Sequence, residues 1–475
     1  MSGRPPQGRP GRGRPENQRT SDRPRSAPAP TAPLLRLQET DLAYSLLLAA
    51  KAMTAVLHHG RSLDQALTQN LGNEQSFAVR GAVRDLATTG IRQWGRAQVL
   101  IQILTQKPGL NPPLLETTLG LGLGLLWPSD APKYPSHTVV NQLVNACAAE
   151  PTLVAGKGLV NACLRNFLRD TPHWVDQALK NPQARWSLPA WWVRKVMDQH
   201  PIQGEALLSQ AAQHPPMVLR VNSRIGSAQQ YVDYLAEKDL SARVIGPQAV
   251  LLDQPCSVDV LPGFAQGEVS VQDSAAQLAA PLLDLQDGQR VLDACAAPGG
   301  KTGHLLELAN IDLLALDSSE SRLNRVADNV ERIAPTLDGD WRFNMKAAKA
   351  EALEDWWDGT PFDAVLADVP CTGSGVVRRH PDIPWLRRPD DSANLSRIQH
   401  TILDALWSTL KPNGTLLLVT CSIFREEGPL LAKAFTEKHA DAVQLDAPGV
   451  VHPTADAAVS PDGFFFAKFR KRAQS

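Results

Sequence analysis

Long apolar runs are missing from this 475-residue chain. The nearest approach, Leu119–Trp127, is interrupted by glycines and ends at Pro128, whereas a bilayer-spanning helix needs about twenty consecutive apolar residues. The N-terminus also lacks the apolar centre of a secretory signal. A cytoplasmic protein with no membrane association is therefore expected. Cysteine is scarce: Cys147, Cys163, Cys256, Cys295, Cys371 and Cys421 are the whole set, and none forms a C-x-x-C pair. That spacing argues against a zinc site or a dithiol redox centre, and no metal is expected. Disulfides are not expected in a cytosolic chain of this size. A surplus of charge of one sign is lacking as well, since the formal net charge is −1. Nucleic acid would have to be bound by local basic patches, not by a generally basic body.

What is present divides into segments. The length predicts two or three domains, and 43% hydrophobic residues is ordinary for a globular protein. Residues 1–33 carry seven arginines, no lysine and two acids, a charge of +5 that leaves −6 for the remainder. This Arg/Pro-rich tail has too little apolar content to build a core and is expected to be disordered, either as an RNA-contacting arm or as a solvated tail. Residues 34–170 read as a helical bundle. Its periodic runs begin at Leu42 and continue over Phe77–Trp94, Arg96–Gln106, Leu114–Leu126, Ser136–Ala149 and Gly156–Leu168. Residues 171–205 read as a connector whose Trp174, Trp186, Trp191 and Trp192 are packing anchors in preference to base-stacking platforms. Residues 206–285 hold short alternating segments around a helical Ser227–Glu237, followed by a helix over Ala276–Leu283. They predict a small α+β subdomain.

From 286 to 475 apolar strand-like segments alternate with helices. The predicted strands are Arg290–Ala294, Leu313–Leu316, Trp341–Met345, Ala364–Ala367, Gly414–Thr420, Ala442–Leu445 and Phe464–Phe469. The pattern is α/β, a doubly wound and mostly parallel sheet. Such folds bind ligands beyond the carboxyl ends of their strands. The first strand runs into Cys295-Ala296-Ala297-Pro298-Gly299-Gly300-Lys301-Thr302 and then an opening helix. Small residues let a ligand approach the backbone, and the helix start offers free N–H groups. A P-loop would need glycine where Cys295 stands, and Gly-x-Gly-x-x-Gly is absent. Asp317 ends the second strand at the offset suited to a ribose-binding acid, with a helix N-cap as the plainer alternative. Asp368 and Cys371 follow the fourth strand, and Cys421 follows the fifth. Arg378, Arg379, Arg387 and Arg388 make a local basic stretch suited to RNA phosphates.

The contiguous Asp293-Ala-Cys-Ala-Ala-Pro-Gly-Gly-Lys-Thr302 resembles the S-adenosylmethionine loop of RNA cytosine-C5 methyltransferases of the Sun (RsmB) type. Asp368-Val-Pro-Cys-Thr-Gly-Ser-Gly375 and Thr420-Cys-Ser422 resemble that family's two cysteine motifs, and Gly158–Arg165 resembles its NusB-like RNA-binding domain. The resemblance implies a Rossmann-like methyltransferase domain behind an all-α NusB-like bundle and a small α+β subdomain. It implies S-adenosyl-L-methionine bound by residues 295–301, Asp317 and Asp368. It further implies formation of 5-methylcytidine in small-subunit (16S) ribosomal RNA or a pre-ribosomal particle, by a protein expected to be monomeric. Cys421 is then the nucleophile, Cys371 assists product release, Asp368 contacts the cytosine, and Lys301 favours the thiolate. The chemistry needs such a thiolate, because carbon 5 of cytosine becomes nucleophilic only after covalent addition at carbon 6. A free thiol has a pKa of about 8.5, so the site must favour ionisation. The chain departs from the family near Lys349, where an acid on the adenine side is expected. Glu351 is the nearest substitute.

Overall fold

In a computed structural model, the described residues are 1–3, 34–72 and 76–473, apart from 455, 457 and 458. Residues 4–33, nearly all of the arginine-rich tail, lie outside them.

Seven helices form the first unit: α1 (Leu42–His59), α2 (Leu63–Leu71), α3 (Phe77–Arg92), α4 (Trp94–Thr105), α5 (Pro113–Leu125), α6 (Ser136–Ala149) and α7 (Lys157–Arg169). Buried alanines on several faces of α1 make it the central helix, with α2, α3, α5 and α6 around it. The glycines that interrupt the apolar run of α5 permit close packing. A Cβ on Gly120 would sit 2.4 Å from the Trp94 ring, and one on Gly122 would sit 2.6 Å from Leu143. Helix α2 was not foreseen. Its start is a capping box in which the Ser62 hydroxyl and the Gln65 side chain each accept from the other's backbone N–H.

The expected connector is itself helical: α8 (Thr171–Leu179), α9 (Pro182–Trp186) and α10 (Ala190–Gln199), then α11 (Gly204–Ala211). Its tryptophans pack as anchors. Trp174 lies against the bundle core, while Trp186, Trp191 and Trp192 join Val377, Ile423 and Phe424 in a separate apolar cluster. The small subdomain contains β1 (Val218–Val221), α12 (Ala228–Ala236), β2 (Ala242–Val244), β3 (Ala249–Leu252) and β4 (Val269–Val271). Its sheet is antiparallel, in the order β2-β3-β1-β4. The helix expected over Ala276–Leu283 is instead two short 3-10 turns, Ala276–Leu278 and Pro281–Leu283. Pro281 cannot donate the hydrogen bond that a continuing α-helix requires there.

The last unit alternates β5 (Arg290–Asp293), α13 (Gly300–Leu308), β6 (Asp312–Asp317), α14 (Glu320–Ile333), β7 (Arg342–Ala347), α15 (Leu353–Trp356), β8 (Phe362–Asp368), α16 (Ile383–Leu386), α17 (Asp391–Ser408), β9 (Leu410–Thr420), α18 (Pro429–Lys438), β10 (Ala442–Val451) and β11 (Phe464–Lys471). The seven strands order as β10-β11-β9-β8-β5-β6-β7. β7, β6, β5, β8 and β9 are parallel, while β11 and β10 are antiparallel additions. Strand residues alternate between two cores. Val291, Leu417 and Val419 face α13 and α14, and Leu292, Leu416 and Leu418 face α17 and α18. Helix α14 contributes Leu323, Val326, Val330 and Ile333, one stripe at helical spacing. The strand order reverses between β5 and β8, where doubly wound sheets open a ligand crevice at the carboxyl ends. Asp293, Asp317, Asp368 and Thr420 terminate β5, β6, β8 and β9 at that edge.

Candidate active site

The loop after β5 is shaped by what its neighbours leave room for. Gly299 has φ +100°, and a Cβ there would meet Val326 Cα at 2.9 Å, so both backbone and space require glycine. Helix α14 holds the loop from one side: Arg322 donates to the Ala297 carbonyl at 3.0 Å and Asn329 to the Pro298 carbonyl at 2.8 Å. From the other side Arg220 of β1 donates to the Gly300 carbonyl at 2.8 Å and forms a two-pronged pair with Glu307 of α13, at 2.9 and 2.6 Å. The antiparallel subdomain thus supports the floor of the crevice.

Three carboxylates gather along this edge. Asp293 is fully buried and accepts from Thr302 at 2.7 Å, but its other oxygen has no hydrogen-bond partner among the described residues. Burial pushes its carboxyl up to about 7, a rise aided by the Asp368 and Asp317 charges and resisted by Thr302 and Lys301. Asp317 is also buried and stands 3.5 Å from Arg322. Burial and the same three acids drive the Cys295 thiol well above its ordinary range. The strand ends thus gather negative groups at one edge, with Asp317 at the end of β6.

Beside this edge lie two thiols. The Sγ atoms of Cys371 and Cys421 are 3.2 Å apart, because β8 and β9 are parallel neighbours and each cysteine follows its strand's end. Lys301 Nζ contacts Asp368 at 2.6 Å and stands over the Phe464 ring at 5.3 Å. Burial disfavours its charge, yet Asp368, Cys421 and Asp293 together raise its pKa. Lys301 is thus a stable cation that senses Cys421. The Cys371 thiol is held well above its ordinary value by its hydrogen bond with Cys421, by burial, and by the charges of Cys421 and Glu427.

A model described as 16S rRNA methyltransferase RsmB/F matches residues 280–470, and one described as an RsmF/B-like ferredoxin-like domain matches residues 188–259. A protein of Pseudomonas syringae pv. tomato named ribosomal RNA small subunit methyltransferase B is 39% identical over 444 residues, covering 90% of this chain and 97% of the relative. One of the same name from Vibrio cholerae is 36% identical over 436 residues, 89% and 96% of the two chains. The chain belongs to the RsmB/F methyltransferase family. It is accordingly an enzyme of the methyltransferase class. The crystal structure of the protein PH0851 shares the fold across 92% of this chain and 100% of its own, with a TM-score of 0.69 at 22% identity. A methyltransferase homologue from Pyrococcus horikoshii covers 61% of this chain and 97% of its own, at TM-score 0.51 and 24% identity.

Within this RsmB/F site the arginine stretch needs correction. Arg378 is 3% exposed and bonded to Asp462 and the Ser460 carbonyl. Arg379 is held by Asp462 and by Asp273, the latter at 2.7 Å. Both guanidinium groups neutralise buried acids and tie the approach to β11 onto the loop after β8, so they are not available for phosphates. Arg387 donates to the Thr372 carbonyl at 3.0 Å, which makes it a loop support. Arg388 alone of the four is exposed. In the segment after β7 where an adenine-side acid was expected, Ala348 donates to the Asp317 carbonyl at 3.1 Å, which places the segment beside Asp317. Lys349 is exposed and Glu351 half-buried there.

Sequence reasoning matches Glu426-Glu427 to the family's second cysteine motif but gives Glu427 no role. Its fully buried carboxylate accepts from Thr372 N at 2.8 Å, Thr372 Oγ1 at 2.5 Å and Ser422 Oγ at 2.6 Å. Thr372 follows Cys371 and Ser422 follows Cys421, so one acid joins the two cysteine loops. The only signal was an acid pair, and nothing in it says that Glu427 turns inward while Glu426 turns out to Lys195 at 2.9 Å.

Proposed function

We propose that this enzyme methylates carbon 5 of a cytidine in small-subunit ribosomal RNA, with S-adenosyl-L-methionine as donor and Cys421 as nucleophile. The observation that carries the reading is the pair of thiols 3.2 Å apart at the crevice edge, next to the Lys301–Asp368 ion pair. A doubly wound sheet that only bound RNA would have no need of that pair. The crevice suits the donor: the loop of residues 295–301 has no side chain larger than proline between Cys295 and Gly300, Asp317 ends β6 at the offset suited to a ribose-binding acid, and the acidic strand ends suit a sulfonium and an ammonium. When bound, S-adenosylmethionine supplies the electrophilic methyl group.

The chain's own residues do the rest. Lys301 favours the Cys421 thiolate by its charge. Cys421 Sγ forms a bond to carbon 6 of an unpaired or flipped-out cytosine. Asp368 faces nitrogen 3 and stabilises its protonated form as the ring becomes an enamine-like nucleophile at carbon 5. After methyl uptake the carbon-5 proton leaves to a base, the carbon–sulfur bond breaks, and Cys421 departs with assistance from Cys371. The helical bundle of residues 34–170 would serve as the NusB-like RNA-binding unit, with residues 206–285 as a subdomain beside the catalytic unit. Arg388 and the tail of residues 1–33 would supply phosphate contacts. A monomer working in the cytoplasm completes the reading.

The test is methyl transfer from labelled S-adenosylmethionine to unmodified small-subunit RNA, naked or in particles, with bisulfite mapping. One protected cytidine, lost in Cys421→Ala, is the expected result, and Cys371→Ala should accumulate a protein–RNA adduct. Adduct in Cys421→Ala but not in Cys371→Ala would reverse the two roles. Transfer only to transfer RNA would overturn the substrate, and no transfer to either would leave an RNA-binding assembly factor.

A further inference from the structure

The pairing of two chemically identical thiols raises a question that the proposed reaction leaves open: what makes one the nucleophile and the other its helper. Both sit on short loops after parallel strands, and both are partly exposed at the crevice. The difference lies behind them. Glu427 belongs to a 3-10 turn, Arg425–Glu427, six residues beyond Cys421. Its carboxylate receives two donors from Thr372, one from Ser422, and Gln399 Nε2 of α17 at 3.4 Å. Gln399 also donates to the Pro370 carbonyl at 2.9 Å, immediately before Cys371. Thr420, immediately before Cys421, donates its hydroxyl to the Glu427 carbonyl at 2.9 Å. Residues on both sides of both cysteines are therefore tied to one acid, directly or through Gln399.

We propose that Glu427 is a positioning residue for methyl transfer, whose single buried carboxylate sets the register of the two cysteine loops and divides the labour between them, leaving Cys371 as the thiol and Cys421 as the nucleophile. The inference rests on the proposed cysteine chemistry but concerns a property of the free enzyme.

Two arguments support it. The first is geometric. Loops after strands are otherwise free to shift by more than a hydrogen-bond length, and a two-thiol mechanism needs its groups held far closer than that. The second is electrostatic. The charged groups around Cys371 are Cys421 across the gap, Glu427 beneath, Arg387 whose Nη2 lies 3.5 Å from the Cys371 carbonyl, and the Lys301–Asp368 pair from the donor loop. The Cys421 hydrogen bond, burial, and the Cys421 and Glu427 charges all oppose a Cys371 thiolate, while Lys301 is coupled to Cys421. Burial raises the Glu427 carboxyl above its ordinary range, a rise resisted by the hydrogen bonds from Ser422 and Thr372 and by the Arg387 charge.

The experiment is alkylation of the full-length enzyme by iodoacetamide between pH 6 and 10, without RNA or donor. Peptide mass spectrometry follows the initial rates at Cys371 and Cys421. In the wild type Cys371 should reach its alkylation midpoint above the ordinary thiol range, and at neutral pH Cys421 should be alkylated about tenfold faster than Cys371. Glu427→Gln keeps the shape but removes the charge, and should lower the Cys371 midpoint, so that Cys371 is alkylated about threefold faster at neutral pH. It should also reduce kcat for methyl transfer more than it raises KM for the donor. A loss of packing alone would change the plateau rate at both cysteines and leave the midpoints where they were, and that result overturns the proposal. So do equal midpoints in the wild type, which need no variant to fold. Failure of methyl transfer by the wild type would instead strike the proposed reaction, and leaves these midpoints independently readable.

Discussion

Replacing Arg220 by Met would separate the support of the donor loop from its chemistry. Arg220 and Glu307 are each about 1% exposed and share two hydrogen bonds, at 2.9 and 2.6 Å. Removing the guanidinium strands a buried carboxylate, which costs about 3–5 kcal/mol. The Gly300 carbonyl and Gln272 Oε1 also lose their donor, about 1 kcal/mol each. Replacing Glu307 by Met as well removes the stranded charge and leaves only the second loss. The single variant should therefore be the weaker by about 3 kcal/mol, roughly a hundredfold in an opening equilibrium. Amide hydrogen exchange along α13 reads that opening locally, with α1 as an internal reference for global unfolding. Exchange in α13 should be fastest in Arg220→Met and about a hundredfold slower in the Arg220→Met, Glu307→Met double variant. If the double variant exchanges as fast as the single, the stranded-charge argument is wrong.

Three other outcomes are expected. Asp293 has its carboxyl raised to about 7 from an ordinary value of about 4, so the folded state holds the extra proton and its stabilisation is full below about pH 4 and lost as the pH rises through about 7. Asp293→Asn should therefore gain in Tm over the wild type between pH 5 and pH 8 in donor-free protein, and parallel Tm curves would contradict this. Arg388→Ala should reduce the salt dependence of RNA binding by about one charge without altering stability, whereas Arg378→Ala should lower the Tm and leave the salt slope unchanged; interchange of the two results would return Arg378 to the RNA surface. Deleting residues 1–33, which carry +5, should weaken RNA binding at low salt, and unchanged affinity would make the tail a solvated extension.

The parallel sheet was legible because its strands are apolar runs bounded by loops and helices: all seven overlap their expected segments, though the strand from Ala442 runs six residues further and the one expected from Gly414 begins at Leu410. Most bundle helices were legible as apolar-periodic runs, although the central α1 and α5 are buried on more than one face. Helix α2 is short and depends on a cap, and the stretch at Ala276–Leu283 is apolar enough for a helix but broken by Pro281. The loop of residues 293–302 and the two cysteine motifs were legible because their chemistry is local: small residues, a strand end and a helix start.

What the sequence by itself determined is therefore the set of elements and the reactive groups at their ends. It did not determine partnership, because charge is a property of composition and pairing is a property of distance. Arg378 and Arg379 read as free cations until the approach to β11 brings Asp462 against them across more than eighty residues. Glu427 is only one of two adjacent acids in the sequence until β8 and β9 lie side by side and its carboxylate reaches both cysteine loops. Only the tertiary structure decides which charges meet water and which meet one another, since a buried ion persists only where a partner from elsewhere in the chain repays its desolvation.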